Sequence, residues 1–138
     1  MKKILIISLS ALILTACSEQ EEYQETVLEQ IKNDSDIQSY HLEPETVTKC
    51  IVELSSKKMP GIVPFDPMRK AAYKGYTKMI STKTSEKPEE ILKELRESFG
   101  SAQGLSDAHR NYTSSYLECM STVTNLELDE ESTEETQE

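Results

Sequence analysis

The chain has 138 residues and a formal charge of −10, which is one small domain's worth of sequence. Aromatic residues make up 6%, with no Trp, two Phe and six Tyr, and there are four Gly. So few turn formers and aromatics argue against a β-sandwich or barrel, and two His and three Cys leave little material for a catalytic or metal centre.

Lys2 and Lys3 precede an apolar stretch from Ile4 to Leu14, broken only by Ser8 and Ser10. That stretch is too short to span a bilayer and has the length of a signal-peptide core. It ends in Leu14-Thr15-Ala16-Cys17, which resembles the lipobox of bacterial lipoproteins. The resemblance covers only about the first 17 residues. It implies that residues 1–16 are a signal peptide and that Cys17 is lipidated with palmitate-like chains. Ser18 after the Cys resembles the signal that permits export to the outer membrane, so the implied place is the periplasmic face of that membrane.

Residues 17–40 read as an acidic tether. Residues 17–36 hold seven acids against one base, Lys32. Part of the segment, Glu21 to Asn33, is expected to be helical, because Val27, Leu28 and Ile31 recur at helical spacing. Residues 41–126 read as the helical domain, with eleven acids and twelve bases between 37 and 126.

A first core helix is predicted over 45–57, where Val47, Cys50, Ile51 and Leu54 form one stripe and Pro44 suits the first turn. Pro60 must lie beyond its end. The segment 59–67 carries three Pro and a Gly, so it reads as a stiff connection. It is apolar for a loop: Met59, Ile62, Val63 and Phe65 either cover the core or form a binding strip.

Asp66-Pro67 has the form of an N-cap followed by Pro at the first helical position, and a helix is predicted over 67–81. Met68, Ala72, Tyr76, Met79 and Ile80 share one face. Lys70, Lys74 and Lys78 share another, which reads as a solvated face or as a docking surface for an acidic partner, with Tyr73 among the lysines. A third helix is predicted over 87–99, with Ile91, Leu92, Leu95 and Phe99 inward and Gly100 as its stop. Glu86, Glu89 and Glu90 belong to its start, where acids favour the helix dipole.

The last helix is predicted over 107–124, with Ser106 as its cap. Ala108, Tyr112, Tyr116, Cys119 and Val123 make its stripe. Residues 127–138 hold seven acids and no base, and read as a disordered acidic tail.

Cys50 and Cys119 remain once Cys17 is assigned to lipid. Both fall on apolar stripes, and an exported protein meets an oxidising space, so a Cys50–Cys119 disulfide is expected. The fold expected is all-α: a small four-helix bundle, or five with the tether, stapled by one disulfide and flanked by disordered acidic ends.

Chemistry is not expected. His41 and His109 have no metal-ligand neighbours in sequence, and no nucleophile, phosphate-loop or zinc-protease motif is present. No catalytic residue, metal or cofactor is assigned. The function expected is a lipid-anchored, non-catalytic domain that binds another envelope protein, through Met59, Ile62, Val63 and Phe65 together with Lys70, Lys74 and Lys78. Nucleic acid is not expected as a partner, and the oligomeric state is not legible. The rival readings are a small-ligand binder using Tyr73, Tyr76, Tyr112 or Tyr116, and a structural or stress lipoprotein of the envelope.

Overall fold

A computed structural model describes residues 18–63, 65–81 and 87–134, with side chains as far as Leu126. Cys17, Glu86 and the last residues of the acidic tail lie outside this set. The described residues form six helices in this order: α1 Ser18–Lys32, α2 Ser35–Ser39, α3 Pro44–Lys57, α4 Pro67–Ser81, α5 Pro88–Ser98 and α6 Ala102–Glu134. The fold is all-α, and Cys50 on α3 is joined to Cys119 on α6 with their Cα atoms 5.8 Å apart. No helix among the described residues is long and apolar enough to cross a membrane.

The helix α1 is part of the core rather than a tether. Tyr23, Val27 and Ile31 stand four residues apart, so they line one face, and all three are fully buried. That face packs on α3 and α4. Glu19 and Glu21 lie in the first turn and Lys32 in the last, the arrangement the helix dipole favours. The many acids of this segment sit on the outer side of a helix whose inner side is apolar. Next, Asp34 caps α2 by accepting from the Asp36 amide at 2.9 Å, and Ile37 and Leu42 close the end of the core.

The helix α3 is buried on more than its predicted stripe. Val47 and Ile51 are joined in the interior by Thr48, Val52 and Ser55, because α1 and α6 both pack on it. The helix α4 starts where Asp66 and Pro67 predict: the Asp66 carboxylate accepts from the Met68 amide at 2.9 Å. Its inner face is Ala72, Tyr73, Gly75, Tyr76 and Ile80. Two assignments on this helix change. Met68 is exposed, and Tyr73 is buried rather than set among the lysines.

Gly75 lets α5 approach. A Cβ at that position would stand 2.9 Å from Cζ of Phe99, inside contact distance, so the Phe99 ring lies directly over the α4 backbone. The helix α5 itself is peripheral: Leu95 is buried, while Leu92 is at the surface.

The helix α6 begins five residues before the position that Ser106 suggests. Ser101 caps it, accepting from the Gly104 amide at 2.9 Å. It also continues to Glu134, through most of the segment read as a disordered tail. Its inner face carries Ala108, Tyr112, Cys119 and Val123 as predicted, with Asn111 and Ser115 buried beside them and Tyr116 half-buried.

Candidate functional site

The residues singled out in the sequence divide between core, ion pairs and surface. Met59 is buried in the core. Ile62, Val63 and Phe65 are exposed, and Met68 extends their strip into the first turn of α4. The Lys70 and Lys74 ammonium groups both reach Glu19 on α1, at 4.0 and 3.7 Å, and Lys78 pairs with Glu94 on α5. The three lysines therefore join α4 to its two neighbours rather than forming an open basic face. Glu19 is held below the ordinary carboxylate range by its own backbone N–H first, with Ser18, Lys70 and Lys74 adding to it.

The apolar strip is held in place. The Arg69 guanidinium donates to the carbonyl oxygens of Ser56 and Gly61. From the other side, the Asp66 carboxylate accepts from the Ile62 amide at 3.4 Å. Gly61 has φ +90°, and a Cβ there would stand 2.7 Å from the Arg69 amide nitrogen, so the turn closes only around glycine. Ile62, Val63, Arg69 and Tyr73 line an open groove of about 460 Å³ together with Gln20, Gln24 and Lys49.

The tyrosines do not converge on one pocket. Tyr23 is central: its ring meets Tyr73 at a tilt at 5.7 Å and Tyr76 edge-on at 5.8 Å, and Tyr76 in turn meets Phe99 at 5.7 Å. Tyr23 shares a 2.8 Å hydrogen bond with Ser55. The Asn111 amide donates to the Ser55 carbonyl at 2.9 Å and to the Tyr76 hydroxyl at 2.8 Å. The Tyr73 hydroxyl donates to Ser56. Burial is the first cause raising the hydroxyl pKa values of Tyr23, Tyr76 and Tyr112. Tyr23 and Tyr76 are structural, with their hydroxyls engaged inside the bundle.

A second groove, of about 390 Å³, opens where α1 ends, between α4 and α6. Met79, Ile80 and the ring of Tyr112 give it an apolar floor, while Gln30, Asp34, His109 and Thr113 stand around it. Tyr112 donates to Gln30 at 3.3 Å and Tyr116 donates to Asp34 at 3.0 Å. Tyr116 is pushed up to about 12 by burial first, then by the Asp34 carboxylate. An apolar base with a ring of polar groups is the usual make-up of a binding site.

Of this groove the sequence singled out Tyr112 and Tyr116, and read His109 as a surface residue. It missed Gln30, Asp34, Met79, Ile80 and Thr113 as a set. One signal was available: His109, Tyr112 and Tyr116 are three and four residues apart, so they share a face of α6. Among the described residues no three His, Cys, Asp or Glu side chains come together as a metal site. No family model, curated protein or solved structure matches the chain.

Proposed function

We propose that this chain is a lipid-anchored protein of the bacterial envelope that binds another envelope protein and catalyses no reaction. The anchor is Cys17, on the strength of the lipobox resemblance, and the place is the periplasmic face of the outer membrane. The observation that carries the binding reading is the groove between α1, α4 and α6, apolar at its base and polar at its rim. An apolar side chain of a partner peptide would seat on Met79, Ile80 and the Tyr112 ring. The Asp34 carboxylate, already accepting from Tyr116, would receive a base beside it. One feature weighs against thiol chemistry: Cys50 and Cys119 are consumed in a disulfide.

The test is in-cell photo-cross-linking with a photoreactive side chain at His109, which is exposed on the groove rim. One dominant protein adduct is expected, and it should vanish when Thr113→Arg obstructs the groove while circular dichroism stays unchanged. A small molecule retained in native mass spectra, with no protein adduct, would favour the ligand-binding reading instead. Neither adduct nor ligand would remove the groove as the site.

A further inference from the structure

The apolar strip and the start of α1 lie at the same end of the molecule. Glu19, the second residue of α1, pairs with Lys70 and Lys74 in the first half of α4. Gln20 lines the same groove as Ile62 and Val63. Along the strip Ile62 is 95% exposed, Phe65 66% and Met68 61%. A single exposed apolar residue is ordinary. A run of four, three on a loop held by Arg69 and Asp66 and one in the first turn of α4, marks a contact surface.

Chain geometry says what that surface meets. Cys17 is one peptide unit from Ser18, and successive Cα atoms lie about 3.8 Å apart. Ser18 already belongs to α1, and α1 is locked into the core by Tyr23, Val27 and Ile31. An acyl anchor at Cys17 thus leaves no slack between bilayer and domain, and holds this end of the fold against the lipid. We infer that Ile62, Val63, Phe65 and Met68 seat in the boundary between head groups and acyl chains of the membrane that carries the anchor. They form a second, non-covalent contact that fixes the orientation of the domain. This inference rests on the acylation of Cys17 proposed above.

Charge does not select the lipid. Lys57 pairs with Glu53, Lys70 and Lys74 share Glu19, and Arg69 donates to backbone carbonyls, so the contact is driven by apolar burial and requires no anionic head group. A protein partner on the strip would have to enter between the domain and the bilayer. The groove at the far end of α1 stays open: α1 has 15 residues, which places its ends about 21 Å apart.

The chain contains no Trp, so a single introduced Trp is a clean reporter. Phe65→Trp places it on the strip, and Leu117→Trp places a control on α6, where Leu117 is 61% exposed beside Asp36 and Tyr40. Each variant, lipidated and full-length, is reconstituted into vesicles of phosphatidylethanolamine and phosphatidylglycerol with brominated acyl chains. Trp at position 65 should be blue-shifted and quenched severalfold more than Trp at 117. The difference should persist when phosphatidylcholine replaces phosphatidylglycerol. Equal quenching at the two positions, with Cys17 acylated by mass, overturns the inference while the anchor stands, and leaves the strip to a protein. An unacylated Cys17 overturns the anchor and this inference together.

Discussion

Asn111 is the residue on which three helices converge. Its amide bonds the Ser55 carbonyl on α3 and the Tyr76 hydroxyl on α4, and Ser55 in turn holds Tyr23 on α1. Asn111→Ala leaves two buried acceptors short of a donor, which costs about 1–3 kcal/mol; chemical denaturation should show the unfolding free energy falling by that much, through a lower midpoint with the slope unchanged. Tyrosine protons supply a second expectation. Tyr116 is pushed up to about 12, and Tyr23, Tyr76 and Tyr112 are raised as well, by burial first. An unfolded Tyr ionises near pH ~10, so above that the unfolded chain sheds protons that the folded chain keeps. Their contribution is complete below pH ~10 and drains away as pH rises towards 12. Tyrosinate absorbance and helical circular dichroism should therefore change together in an alkaline titration. A tyrosinate signal that rises fully before helicity falls would contradict this.

At the scale of elements, α3, α4 and α5 lie within a residue or so of their predicted bounds, because Pro44, Asp66-Pro67 and Gly100 mark starts and stops by local chemistry that tertiary packing does not override. The helix α6 shows the limit of such signals. Gly104 has low helix propensity and made Ser106 look like the cap, whereas Ser101 had already started the helix. The helix α1 shows a different limit: its acids dominate the composition, and the stripe of Tyr23, Val27 and Ile31 is only three residues. Burial of that stripe separates a core helix from a tether. Ile31→Ala should cost about 2–5 kcal/mol in urea unfolding, the range for truncating a buried Ile. A loss under about 0.5 kcal/mol, typical of surface changes, would show that α1 is detached.

The disulfide acts on the whole molecule. It closes a loop with a sequence separation of 69 and joins α3 to α6 across the core. In the chain-entropy model such a loop is worth about 4 kcal/mol. Reduction, or Cys119→Ser, should lower stability by about 2–5 kcal/mol while helicity persists in the absence of denaturant. That pairing was legible because each Cys sits on its own helix's apolar stripe. The groove was not legible, because it joins Gln30 to Tyr112 and Asp34 to Tyr116, each pair 82 residues apart, and no local pattern records such a distance.

The two proposals place work at opposite ends of the molecule: the proposed acyl chain and the apolar strip at one, and the groove of Asp34, Tyr112 and Tyr116 at the other. Both proposals stand on the chemistry of Cys17. The most direct measurement is therefore the mass of the N-terminal peptide of the full-length chain expressed in a bacterium with an intact envelope. The account predicts a mature chain that starts at Cys17, with a diacylglyceryl thioether on its sulfur and residues 1–16 gone. A chain that retains Met1, or is cleaved elsewhere and carries a bare Cys17, would contradict it.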